Sequence, residues 1–204
     1  MRSLLIVLCA VGLSACNMVY SEKPLFTAAD SARGPKLKPG VWVSPKPDCA
    51  FEPAQTPLPD CADAVLIDAT HFRAAPGAKA PSPGGPEDLA YVLAAGAPPV
   101  MQLKLEMKDG GKAALWFYAG VKALKTDRRG RIVEMRAWPV QCGPPPPKGS
   151  NKHGTTAPLA GLAMDKDGNC TPKDAAAVFS AAKASEAWQD EPGDAARWLR
   201  DSKP

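Results

Sequence analysis

The sequence predicts an α+β or mainly β fold: an antiparallel β-meander, as a sheet or a partly closed barrel, with a C-terminal helix. Three observations carry this expectation. Met101, Leu103, Leu105 and Met107 alternate with Gln102, Lys104, Glu106 and Lys108, the period-two pattern of a strand with one buried and one wet face. Asp109-Gly110-Gly111 and Asp127-Arg128-Arg129-Gly130 supply tight turns, because glycine accepts the positive φ that short hairpins demand. An alanine-rich run behind Thr171-Pro172 has the start signals of a helix.

The elements follow in order. Val41-Trp42-Val43 is a short strand ended by Pro45, and Ala64 to Phe72 reads as one longer strand. Residues 76 to 86, rich in proline, glycine and serine, form a loop before a strand over Leu89 to Ala95. The strand at Met101 turns into a return strand, Ala113 to Val121, with Leu115, Phe117 and Ala119 on one face and Trp116 and Tyr118 on the other. The second turn leads into Ile132 to Trp138, completing a meander. Trp116, Tyr118 and Trp138 predict that its second face is also partly covered. Leu159 to Met164 is a strand and Asp165 to Asn169 a turn. With Thr171 as N-cap, Pro172 first and Asp174 third, a helix is expected from about Pro172 to Trp188. Pro192-Gly193 ends that element, and Ala195 to Arg200 is a short helix or a final strand.

Organisation is set by the first forty residues. Arg2 precedes Leu4 to Leu13, ten apolar or small residues, which fits the n-region and h-region of a secretory signal. The run is shorter than the roughly 20 residues a spanning helix needs. It ends in Leu13-Ser14-Ala15-Cys16. Over residues 1–16 the chain resembles bacterial lipoproteins. That resemblance implies a signal peptide over 1–15, a diacylglycerol on the Cys16 thiol and a further acyl chain, such as palmitate, on its amine. Two or three chains on one residue make a stable membrane anchor. Asn17 is not the aspartate that marks inner-membrane retention in such proteins, so the resemblance favours the periplasmic face of the outer membrane. Residues 16–39, broken by Pro24, Pro35, Pro39, Gly34 and Gly40, read as a flexible tether, and 40–204 as a single domain.

Composition narrows the function classes. Without residues 1–15 the formal charge of +4 loses only Arg2, leaving +3 on 189 residues, whereas nucleic-acid proteins carry a clustered basic face; no nucleic-acid partner is expected. Proline, 23 of 204 residues, is about twice its usual share of about 5% and marks a loop-rich chain. Beyond Cys9 and Cys16 the domain keeps Cys49, Cys61, Cys142 and Cys170, which allow three pairings. In an oxidising compartment the sequence-nearest pairs, Cys49 with Cys61 and Cys142 with Cys170, each clamp a proline-rich loop and contribute about 3 kcal/mol in the chain-entropy model. No CxxC or zinc spacing competes with that reading.

Motifs with chemical potential are sparse. Asp165-Lys166-Asp167-Gly168-Asn169-Cys170-Thr171 is rich in oxygen ligands, but an EF-hand needs glycine sixth and glutamate twelfth. Here glycine is fourth and Ala176 twelfth, so a polar turn and no metal are expected. His71 and His153 lack a G-x-S-x-G or similar frame, and no catalytic residue is assigned. Pro144 to Pro147 reads as a stiff connector rather than a polyproline ligand. No phosphate loop or dinucleotide fingerprint calls for a cofactor. Lys122, Lys125, Arg128, Arg129, Arg131 and Arg136, against Asp127 and Glu134, give +4 over fifteen residues at a hairpin tip. Arg128, Arg129 and Arg131 are candidates there for contact with an anionic surface. The sequence therefore points to a lipid-anchored envelope module, binding or structural rather than catalytic, with a protein, glycan or lipid partner. The alternative is a carrier of a small amphiphile, with Met101, Leu103, Leu105, Met107, Phe117 and Trp116 around a cavity in a half-barrel. An envelope hydrolase is the third reading.

Overall fold

In the computed structural model the described residues are 17–75, 88–106, 114–146, 155, 157–189 and 195–202. They form β1 (Tyr20–Ser21), α1 (Ala28–Arg33), β2 (Gly40–Val43), β3 (Ala64–Ile67), β4 (His71–Ala74), β5 (Asp88–Ala94), β6 (Val100–Glu106), β7 (Ala114–Thr126), β8 (Ile132–Pro139), β9 (Leu162–Met164), β10 (Cys170–Pro172), α2 (Ala175–Glu186) and β11 (Ala196–Arg200).

Eight of these strands close into an antiparallel barrel, in the order β7-β6-β5-β4-β3-β2-β11-β8 and back to β7. The expected meander is its β6–β7–β8 portion, where Met101 faces Ala119 and Leu103 faces Phe117 across one pair and Val121 faces Ala137 across the next. Residues Ala196–Arg200 form a strand rather than a helix, and β11 seals the barrel by pairing with β2 on one side and β8 on the other. Closure leaves these strands no free edge. The long β7 carries β8 along part of one edge and β1 further along, Tyr20 opposite Phe117.

Three sequence expectations change. The strand expected over Ala64 to Phe72 is two, β3 and β4, folded back on each other with Ile67 opposite Phe72. Asp68 causes the break: its Oδ1 accepts the amides of Thr70 and His71, each at 2.8 Å, an Asx-type turn that competes with the ladder. The helix starts at Ala175, not Pro172, because Asp174 takes the N-cap and accepts the amide of Ala177 at 2.9 Å. Thr171 and Pro172 lie instead in β10, opposite Ala163 and Leu162. Finally, residues 17–39 are not a loose tether in the structure. Val19, Phe26 and Leu37 are buried, and β1 is part of the sheet.

The alternation of each strand creates two surfaces and three packed regions. Inside the barrel lie Trp42, Ile67, Leu93, Met101, Val121 and Met135 among others. Outside, α2 covers the wall of β6 to β8, its Ala177, Val178, Ala181 and Ala182 clustering with Ala94, Val100 and Tyr118, while α1 lies on β5. The small residues let the helix axis come close, and Gly120 lies under the Trp138 ring, where a Cβ would overlap the indole. On the far wall the segment 44–63 covers Val41 and Val43 with Leu58 and Ala62. Disulfides Cys49–Cys61 and Cys142–Cys170 sit in these two outer layers. Cys49–Cys61 closes the 44–63 cover on itself, while Cys142–Cys170 ties β10 to the segment that follows β8, and neither crosses the barrel.

Candidate functional site

The barrel interior is the concave apolar surface of this molecule, and its two ends differ. At one end, beside the turn Asp127–Gly130, a segment of chain crosses as a floor. Leu37 bridges Ile132 there, with Lys38 N donating to Ile132 O at 2.9 Å and Ile132 N to Lys36 O at 2.7 Å. Two indoles hold the same segment: Trp42 Nε1 donates to Lys38 O at 2.8 Å and Trp198 Nε1 to Pro39 O at 3.0 Å. The Lys38 ammonium lies 3.0 Å from the Trp198 ring centroid, a cation–π contact. Leu37, Ile132 and Trp42 are accordingly fully or almost fully buried.

Toward the other end, where β6 finishes and β7 begins, the inward side chains change. Leu105, Phe117, Leu115, Val65 and Phe72 are only half-buried, as are Ala119 and Ala137 further in. The register places all of them on the inner face: Leu105 opposite Leu115, Phe117 opposite Leu103, Ala119 opposite Met101, Phe72 opposite Ile67 and Leu89. Ala119 and Ala137 put small side chains on this inner face. The inner face is thus apolar throughout, with half-buried side chains gathered mainly toward this end.

Tyr91 brings a hydroxyl into this interior, its ring centroid 4.7 Å from that of Phe72. Tyr91 donates to Asp68 O at 2.9 Å, and burial, with the nearby Asp68 charge, pushes its phenol far above the ordinary range. It is neutral at any physiological pH and is already committed to that bond. The lining thus offers apolar contact and shape rather than proton transfer.

The sequence-predicted residues fall around this interior as follows. Met101, Leu103, Leu105 and Phe117 line it, as the carrier alternative requires. Trp116 does not: it packs on the outer layer with α2, because it is one residue out of phase with Phe117. Met107, the turn at 109–111, Cys16, His153 and Pro147 lie outside the described residues. The helix covers the other face of the meander, not the one that carries Met101 and Leu103.

His71 stands on the outer wall, in an exposed network. Its Nδ1 is 2.8 Å from the Thr70 hydroxyl, but the nearest carboxylate oxygens, of Asp68 and Asp88, are 3.8 and 3.9 Å away, beyond hydrogen-bond reach. Arg73 binds both aspartates. Burial opposes ionisation of Asp68, but the Thr70 and His71 amides and the Arg73 charge outweigh it and hold the carboxyl below its ordinary range. The cluster ties the β3–β4 turn to β5 and leaves His71 without an oriented carboxylate partner.

Charge at the basic hairpin tip is partly cancelled. Arg131 Nη2 pairs with Asp127 at 2.7 Å, Lys125 pairs with Glu134, and Lys122 reaches Glu186 of α2 at 2.9 Å. Arg128 and Arg129 are exposed and make no ion pair among the described residues. Asp165 organises the other polar turn, accepting the amides of Asp167 and Asn169 at 2.8 and 3.0 Å and the Tyr20 hydroxyl at 3.0 Å.

Compared with protein-family models, with curated proteins and with solved structures, the chain matches none. No helix among the described residues is long and apolar enough to cross a membrane. Sequence reasoning missed the inner-face residues Val65, Phe72 and Ala137, which come from strands distant in sequence. The signal for Val65 was its alternation with Ile67; Phe72 had none until the turn at Asp68 is recognised.

Proposed function

We propose that this chain is a lipid-anchored binding module of the bacterial envelope, on the periplasmic face of the outer membrane, that carries a small amphiphile by its apolar part in the barrel. The observation that carries the reading is the placement of α2 outside the wall, which leaves the inner face of β5 to β8 apolar and half-buried at its rim. An eight-stranded barrel has room for side chains or for one small ligand. The lining supports recognition of an acyl or similar hydrocarbon portion, with the ligand's polar end left at the rim.

Titration with a fluorescent fatty acid tests this. Saturable one-to-one binding is expected, weakened about tenfold or more by Ala119→Trp or by the milder Ala137→Leu, each of which fills the lumen. Both variants are to be checked for an unchanged thermal transition. Binding that does not saturate, or that both folded variants retain in full, overturns the carrier reading.

A further inference from the structure

Resting on the lipoprotein reading, we infer that the barrel is held directly against the bilayer in one orientation, without a leash, by a clamp on Asn17. The residue after the anchor cysteine is among the most thoroughly bonded in the chain. Its side-chain amide pairs reciprocally with the peptide of Gly143: Nδ2 donates to Gly143 O and Oδ1 accepts from Gly143 N, both at 3.2 Å. Nδ2 also reaches Gln141 Oε1 at 3.4 Å, and the Asn17 carbonyl accepts the amide of Cys142 at 2.9 Å. The backbone there has φ 120°, a left-handed conformation that asparagine tolerates better than most residues. A side-chain amide offers its donor and its acceptor on separate atoms in one plane, which matches the N–H and C=O of Gly143.

The clamp continues without a break. Met18 N donates to Asn169 Oδ1 at 3.2 Å, Met18 O accepts the Cys170 amide at 2.8 Å, and Val19 N donates to Val140 O at 3.0 Å. Residues 18 and 19 thus lie between Cys170 and residues 140–141, and the Cys142–Cys170 disulfide locks those two flanks together. Consecutive Cα atoms are about 3.8 Å apart, so an acyl group on Cys16 leaves the protein within one peptide unit of this block.

The block's surroundings define the face presented to lipid. Met164 lies opposite Cys170 in β9–β10, roughly two strand spacings, about 10 Å, from Met18. At 42% exposure it is the large apolar side chain left out in solvent among the described residues. Pro144 and Pro145, exposed, follow Gly143 directly. The basic tip is elsewhere: along β7 it is about ten residues, roughly 33 Å, from the Phe117 position where β1 pairs. Clamping therefore turns Met164 toward the bilayer and Arg128 and Arg129 away from the membrane that holds the anchor.

The test couples the Cys16 thiol, the cysteine not in a disulfide, to maleimide-headgroup lipid in phosphatidylcholine vesicles, using the chain from Cys16 onward. A photocrosslinking residue replaces Met164 in one sample and Arg129 in another. Lipid adducts are expected to be several-fold more abundant from position 164, and a twelve-residue Gly-Ser insert between Cys16 and Asn17 should bring the two yields together. Asn17→Ala should narrow the gap in the same direction while the thermal transition persists. Equal yields from the uninserted chain, or a contrast that survives the insert, overturn the clamp. Native acylation is read separately, from the mass of the N-terminal peptide of membrane-extracted protein. An unmodified Cys16 there sinks the lipoprotein reading without touching the vesicle result.

Discussion

The indole N–H of Trp138 donates to the carbonyl of Ala182 at 2.8 Å, joining the barrel wall to the middle of α2 through a buried bond. Trp138→Phe keeps most of the ring but leaves that carbonyl short of a partner, which costs about 1–3 kcal/mol for a buried group. Gly120→Ala attacks the same contact from below, since its methyl overlaps the ring. Chemical denaturation of the two variants should show losses that fail to add in the double variant, because both act on one indole. Full additivity would mean the ring is not the shared element.

The two disulfides should report on different parts of the molecule. Cys49→Ser with Cys61→Ser frees the cover over Val41 and Val43 and should cost about 3 kcal/mol while leaving the N-terminal segment protected from hydrogen exchange. Cys142→Ser with Cys170→Ser should cost a similar amount and expose the amides of Val19 and Cys142 in addition. Equal exchange in both variants would separate the disulfide from the Asn17 clamp.

Acid should loosen three turns at once. Asp127 is held below its ordinary range by its bond to Arg131. Asp68 and Asp165 are held there by amide and side-chain donors that outweigh burial. A carboxyl with a depressed folded pKa stabilises fully above its unfolded value, near 3.8, and that contribution disappears as pH falls through the folded value. The denaturation midpoint should therefore drop as pH falls below about 4. Asp165→Asn should be less stable than the parent at pH 7 and show a shallower acid decline; an identical decline would show that this turn is not part of the linkage.

His71→Gln should leave fatty-acid binding intact, because the ring stands on the outer wall and its carboxylate neighbours are engaged by Arg73. Asp68→Ala should instead destabilise by about 1 kcal/mol, since the Thr70 and His71 amides lose their acceptor. Binding lost in folded His71→Gln protein would reopen the catalytic reading.

Elements marked by strong local patterns were legible in the sequence. The alternation at Met101 to Glu106 and the glycine of the 127–130 turn specify their strand and hairpin without help from distant residues. Closure was not legible, because β2 and β11 show no local sign that Trp42 will lie opposite Trp198. Asp68 was hidden for a different reason: it is one polar residue inside an otherwise strand-like run, and its side chain, not its propensity, makes the turn. Asn17 carries even less signal, since its partners Gln141 and Gly143 are more than 120 positions away.

The closing strand also sets an order of events. β11 begins at Ala196, yet it pairs with β2 near the other end of the chain, so the loop to be closed includes nearly every other element. Contacts between residues this far apart in sequence slow folding, because the entropy of closure is lost before the contacts form. A chain still emerging, or one truncated before Ala196, has two raw strand edges at β2 and β8 instead of a wall. Such an intermediate is prone to pair with its neighbours, which makes the last strand the point at which assembly of the barrel competes with aggregation.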